Sequence, residues 1–328
     1  MHLLQPTALL IFSSLCAPLS AQTVVLFDFD NAPLYSSLPV DVVAGGVSAH
    51  LSATGQGYSI QSTSSAPVVP AGFSGRFVYP NSVSQADLMV SYSRTVTAFS
   101  ILYSPQELGC DDSARMRVTA YMNSTFVGTN TVTARFPGTW PTETLACAFP
   151  QGFNNVVIHY DAKPLTCQDY GKIFLAENMR ITLAEVASFT PFGTGCPGSG
   201  GVPTLDSNPG SLPWLGYQFT ALLKNLGTNP GANLPFLFLG DSRTAWNTFT
   251  LPLDLTFLGM TNCTLYVNPL VAFGLVNANG SATWTVSIPN SPSVMGIPLF
   301  NQGGVTSTGT NPLGIVMSNA CEMRIGLK

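Results

Sequence analysis

Two short acidic runs follow cysteines. Cys110 leads directly into Asp111 and Asp112, and Cys167 into Gln168, Asp169 and Tyr170. A Cys110–Cys167 bridge would bring Asp111, Asp112 and Asp169 to one end of a β-sandwich, and in the chain-entropy view closing that long loop contributes about 4 kcal/mol. Three carboxylates held together repel unless they are solvated or share a hard cation, and calcium takes oxygen ligands of this kind. A structural calcium ion is therefore an expectation, against the plainer reading of a solvated acidic loop. Asp28 and Asp30, expected on one face of the first strand, and Glu177, in the last strand of the first half, form a competing place for an ion, because first and last strands often pair in a jelly roll.

Other chemistry is sparse. His159-Tyr160-Asp161 follows an apolar strand, but adjacent strand residues point to opposite faces, so adjacency alone builds no Ser–His–Asp site. No Gly-x-Ser-x-Gly elbow follows a strand and opens a helix. Asp254, in LPLDL, reads as a turn or capping residue. Tyr79, Trp140 and Tyr170 fall in expected loops or strand ends, where aromatic faces can stack on sugars while neighbouring Asn, Asp and Gln fix hydroxyls. Taken singly, each ring reads more readily as a cap on the core than as a binding platform.

The elements that would position these groups are strands. In Ala114–Met122 the residues Arg115, Arg117, Thr119 and Tyr121 alternate with Met116, Val118, Ala120 and Met122, a period of two. Thr283–Ile288 repeats the pattern after a turn at Asn277–Gly280. Further strands are expected at Thr23–Phe29, Leu88–Ser93, Val96–Tyr103, Phe126–Thr133, Glu143–Phe149, Val156–Tyr160, Leu215–Leu223, Pro235–Leu239, Cys263–Val267 and Gly314–Met317. Short strands separated by turns, with no convincing helical period, predict an all-β chain of two β-sandwich, jelly-roll-like domains in tandem.

The boundary falls near residue 187, where a Gly- and Pro-rich stretch starts that can form neither helix nor central strand. The expected layout is a signal peptide over 1–21, a candidate binding module over 22–186, a linker and leading loop over 187–212, and a second β-sandwich over 213–328. The apolar run Ala8–Leu19 is too short to span a bilayer and ends in the small residues Ser20 and Ala21, so cleavage after Ala21 and an exported protein without membrane insertion of the mature chain are expected. Six cysteines then remain, an even number that suits disulfides and allows fifteen pairings.

Charge narrows the partners. Only 9% of residues are charged and the net charge is −4, so there is no basic footprint for nucleic acid. Residues 22–186 hold 12 acids and 8 bases; residues 187–328 hold only 4 of each and no histidine. Acid–base chemistry needs titratable groups, so any chemistry is expected in the first half.

In the first half FDFDNAP, GGVSAHLSATGQGYSIQ, YPNSVSQADLMVSYS, AYMNSTFVGT and the terminal AENMRIT strand resemble secreted bacterial jelly-roll domains related to galactose-binding and carbohydrate-binding modules. That resemblance implies a structural calcium near Glu177, although the commoner residue at that position is Asp. In the second half FGTGCPGSGG, LFLGDSRTAWNTFTLPLDLTFLGMTNCTLYVNP and GSATWTVSIPNSPSVMGIPLFNQ are similar to a C-terminal β domain on many exported bacterial proteins. It implies a Cys196–Cys263 disulfide and leaves Cys147 and Cys321 over. Neither resemblance carries a catalytic motif. The order of functional expectations is a binding or adhesion protein for glycan or a cell-surface polymer, then a structural surface component without ligand, then an extracellular hydrolase acting through the first half.

Overall fold

The computed structural model describes residues 22–66, 69–82, 84–105, 114–134, 142–162 and 172–328. The described residues are all-β, with antiparallel sheets in a sandwich-like arrangement and only two short 3-10 turns. The chain divides into two compact units, one running to Ala184 and one from Glu185 to Lys328.

The first unit contains β1 (Val24–Phe27), β2 (Val40–Ala44), β3 (Val47–Ala53), β4 (Tyr58–Ser62), β5 (Arg76–Pro80), β6 (Leu88–Pro105), β7 (Arg115–Met122), β8 (Thr125–Thr133), β9 (Glu143–Ala162) and β10 (Phe174–Leu183). β6 and β9 do the organising. The first half of β6 pairs with β3 and with Asn155–Ile158 of β9, while its second half pairs with β10 and with Glu143–Ala148 of β9. Register breaks between Ser91, Val96 and Ala98, with Gly152 at φ +80° in β9, turn both strands from one layer into the other. One layer therefore runs β2-β3-β6-β9-β7-β8 and the other β9-β6-β10, with β1 and β5-β4 beyond β10. Each layer turns alternate residues inward, and Val42, Leu51, Val90, Val118 and Ile158 share a single core with Phe99, Ile101, Leu145 and Ile181.

Two expectations change here. Leu88–Ser93 and Val96–Tyr103 are one strand, and so are Glu143–Phe149 and Val156–Tyr160; polar residues and Gly152 at the bends interrupt the pattern without ending pairing. The first strand ends at Phe27, so Asp28 and Asp30 lie in the turn beyond it, where Phe29 takes φ +63°. β1 and β10 do pair, from Val24↔Thr182 to Phe27↔Met179.

The second unit contains β11 (Ser188–Phe192), β12 (Thr204–Ser207), β13 (Gln218–Lys224), β14 (Pro235–Gly240), β15 (Ala245–Trp246), β16 (Phe249–Thr250), β17 (Leu253–Asp254), β18 (Thr264–Leu265), β19 (Val271–Gly274), β20 (Ser281–Ser287), β21 (Pro298–Thr306) and β22 (Ile315–Arg324). A five-stranded sheet, β11-β22-β21-β14-β19, and a three-stranded one, β12-β13-β20, supply its core. The stretch 187–212 is not a linker throughout. It contributes β11 and β12, because Phe189 stacks on Phe219 at 4.9 Å and Leu205 is buried; Pro191 is tolerated because β11 is an edge strand. Cys196 and Cys263 form a disulfide in this core, while Cys147 and Cys321 are free and buried.

Candidate functional site

The outer face of the six-stranded layer carries a row of polar side chains. Alternation decides what stands there. With Val90, Val118 and Ile158 turned to the core, Ser91, Arg117, Thr119, Tyr121, Asn155, Val157 and His159 must face outward. Register aligns them into rows. Asp41↔His50, His50↔Ser91, Ser91↔Asn155, Asn155↔Tyr121 and Tyr121↔Phe126 are successive cross-strand partners, so one row crosses six strands. At about 4.8 Å per strand it is roughly 24 Å long. The next row, Ser52–Met89–Val157–Thr119–Thr129, sets the apolar Met89 and Val157 between hydroxyl side chains beside it.

Contacts along the first row orient its groups. His50 Nδ1 lies 2.8 Å from Asp41 Oδ1, Ser91 Oγ donates to Asn155 Oδ1 at 2.5 Å, and Asn155 Nδ2 donates to Asn123 O and to Asn154 Oδ1. Tyr121 meets Phe126 edge to face at 6.2 Å, and Phe126 is 60% exposed. Rigid strands thus hold a carboxylate, an imidazole, hydroxyls, an amide and two rings on one surface.

At one end of the face lies a charged cluster. His159 Nδ1 is 2.5 Å from Asp87 Oδ1, and Gln85 Nε2 is 2.9 Å from His159 Nε2. Asp161 Oδ1 accepts from Arg117 Nε at 2.9 Å and lies 3.7 Å from His159 Nε2, with Arg115 Nε 3.7 Å from Oδ2. Lys172 Nζ donates to the Asp161 carbonyl. His159 and Asp161 share a face because they are two residues apart on β9; the opposite-face rule separates each of them from Tyr160 and not from one another. Asp87 and Gln85, from the run into β6, were not singled out in the sequence; an acid just before an alternating strand that pairs with the His159 strand was the available signal. Among the described residues no Ser, Thr or Cys side chain is hydrogen-bonded to His159.

Glu177 stands on the opposite outer surface, under residues 72–75. Both its carboxylate oxygens accept the Ser74 N–H, at 2.9 and 3.1 Å, and Asp30 Oδ1 accepts the Arg76 N–H at 2.7 Å. A Cβ on Gly75 would lie 2.0 Å from Asp30 Oδ1, so only glycine fits beside this carboxylate. Burial pushes the Glu177 carboxyl up to about 7, with Asp30 and Asp28 adding to the shift and the Ser74 bonds opposing it. These carboxylates are satisfied by backbone N–H groups rather than converging on a common point. Among the described residues no group of three His, Cys, Asp or Glu side chains is arranged to hold a metal ion. Asp111, Asp112 and Asp169, with Cys110 and Cys167, lie outside the described residues, as do Trp140 and Tyr170.

Tyr79 is half-buried on a different surface from the polar rows. Its ring meets Phe77 edge to face at 6.0 Å, beside Phe73 and Leu175, so it packs as a core-capping aromatic. In the second unit Asp254 Oδ1 accepts from Thr256 N at 2.8 Å and from Thr256 Oγ1 at 2.6 Å, a turn contact; the residue at the cap of the following 3-10 turn is Leu255.

No family model matches the chain, and no curated protein matches it. Among solved structures it is similar to the K1 cleaved adhesin domain of Lys-gingipain from Porphyromonas gingivalis W83, at 13% identity over 49% of this chain and 98% of that one, with a TM-score of 0.29. It is similar to the family 11 carbohydrate-binding module from Clostridium thermocellum, solved with a β-1,3-1,4-mixed-linked tetrasaccharide, at 12% identity over 50% and 97%, TM-score 0.26. The tandem CBM22-1-CBM22-2 domain of Paenibacillus barcinonensis Xyn10C matches at 8% identity over 93% and 98%, TM-score 0.24. At these identities and scores the likenesses carry no functional argument.

Proposed function

We propose that this is an exported, non-catalytic binding protein whose first unit recognises a neutral glycan or similar cell-surface polymer. The observation that supports this reading is the row Asp41–His50–Ser91–Asn155–Tyr121–Phe126 across six paired strands. A sugar offers hydroxyls as donors and acceptors around its rim and C–H groups on its faces. Carboxylate, amide and hydroxyl groups set at strand spacing meet the hydroxyls, and the Tyr121 and Phe126 rings take a C–H face. Strand-held groups lose little freedom on binding, which lowers the ordering cost that limits weak polymer recognition.

Affinity electrophoresis against a panel of neutral polysaccharides tests this. The protein should be retarded by at least one polymer, and Asn155→Ala should weaken that retardation about three- to tenfold, the effect of one lost hydrogen bond. Retardation by none would leave a structural component, and release of new reducing ends would make it a hydrolase.

Calcium at Asp111, Asp112 and Asp169 remains part of the proposal. Calorimetric titration with calcium, with a chelator control, should give heat and a higher melting temperature; neither signal would remove the ion from it.

A further inference from the structure

The five-stranded sheet of the second unit has two edges, and they are finished differently. At one edge β11 carries Pro191, which has no N–H to offer, and lies beside Glu322 and Arg324 of β22. At the other, β19 pairs only with β14, from Leu239↔Val271 to Phe236↔Gly274. No Asp, Glu, Lys, Arg or His occurs between Asp254 and Glu322, and no proline within Leu270–Val276. The segment that carries β19 therefore lacks the charges and prolines by which solitary strand edges avoid pairing.

The main chain of this edge is open. Leu275 N donates to the Pro235 carbonyl at 2.9 Å, which sets the phase of the ladder: Val271, Phe273 and Leu275 turn their main chain towards β14, and Ala272 and Gly274 turn theirs away. Ala272 and Gly274 are exposed, and among the described residues no hydrogen bond reaches the outward N–H or C=O group of either. A Cβ on Gly274 would meet no atom within 4 Å, so no neighbour in this chain calls for glycine there. A glycine within a strand suits the close approach of another backbone. Leu270, Val271 and Val276, beside it, are exposed apolar residues.

The order of residues decides what meets this edge. LVAFGLV, Leu270–Val276, reads alike by type in both directions about Phe273: Leu270 matches Val276, Val271 matches Leu275, and Ala272 matches Gly274. Two antiparallel copies related by a twofold axis through Phe273 bring these matches face to face. In that register Ala272 of each copy exchanges N–H···O bonds with Gly274 of the other, so the smallest side chains stand where the backbones approach. Apolar residues meet apolar residues to either side, and no like charges are set opposite one another.

We infer that the second unit associates with a second copy of this chain through β19, joining the two five-stranded sheets edge to edge. The inference is independent of what the first unit binds.

Sedimentation velocity of the full chain from about 1 to about 300 μM tests it, a range that covers the micromolar association of a small interface. Wild-type protein should pass from monomer to dimer as concentration rises. Ala272→Pro removes an N–H that faces away from β14, so it spares the ladder within the sheet, and should weaken association at least tenfold. Ala272→Lys/Gly274→Lys sets lysines opposite one another across the axis and should be monomeric, as should Ala272→Glu/Gly274→Glu; an equimolar mixture of these two proteins should form a dimer. Melting temperatures near that of wild type check that these variants, altered only at exposed positions, are folded. A wild-type monomer throughout the range would overturn the inference and leave the edge to a different partner. Association of Ala272→Pro or of the lysine protein as strong as that of wild type would also overturn it, and so would a charge-matched mixture that stays monomeric.

Discussion

Glu177 is the residue whose environment most departs from that of an ordinary carboxylate. It is 1% exposed, on a strand whose next outward neighbour toward the N-terminus is the buried Leu175. In the unfolded chain it ionises near 4.5; folded, burial chiefly holds its proton until about 7. The folded state therefore carries the extra proton between those values, and by linkage its stability is greatest at or below about 4.5 and falls as pH rises towards 7. At 1.36 kcal/mol per unit the effect is about 3 kcal/mol at most. Urea midpoints measured between pH 4.5 and 8 should decline with pH more steeply for wild type than for Glu177→Gln, which has no proton to lose. Parallel curves would mean that the carboxylate ionises normally. The sequence marks Glu177 as unusual, because it is an acid amid the apolar run of the last strand. It does not reveal why the acid is tolerated, since the partner is the backbone of Ser74, 103 residues away.

At the scale of elements, legibility followed the solvent. β7 is half-buried, so its alternation of Arg115, Arg117, Thr119 and Tyr121 with Met116, Val118 and Ala120 reads directly, and the strand lies at Arg115–Met122. β21 is buried almost throughout, and at its centre Asn301 and Gln302 precede Gly303 and Gly304, a composition that reads as loop. Packing overrides that composition. A Cβ on Gly303 would lie 2.5 Å from Leu223 Cδ1, so the glycine admits the neighbouring sheet, and Gln302 bridges strands by accepting from Tyr266 N and donating to the Thr264 and Ser318 carbonyls. β2 to β5 were missed for a related reason. They are short, and Gly45, Gly46, Gly55 and Gly57 in the turns between them break any window long enough to show a period. The polar rows were therefore half legible. Their β7 members stood out by alternation, but Asp41, His50 and Ser91 join them only through register, which a single strand's pattern does not contain.

At the scale of the molecule, the two units divide the work of staying folded differently. The first has 11 acids and 8 bases, among them the outward ion pairs of Arg115 and Arg117 with Asp161. In the second, the few charges are largely spent on local packing: Arg243 lies 5.5 Å from the Phe192 ring and 3.4 Å from Glu322, and Lys328 lies 5.0 Å from the Trp214 ring. With so little ion pairing, that unit relies on its apolar core and on the Cys196–Cys263 bridge, whose cysteines are 67 residues apart. A loop of that length corresponds to about 4 kcal/mol in the chain-entropy model, or about 10 °C for a domain of this size. Because each unit encloses its own core, the effect should be confined to one of them. Scanning calorimetry of a Cys196→Ala/Cys263→Ala protein should therefore show the transition of residues 185–328 shifted down by about that amount, with the transition of the first unit where it was. Equal shifts in both would mean that the units melt as one cooperative body, and no shift would mean that the apolar core alone carries the second unit.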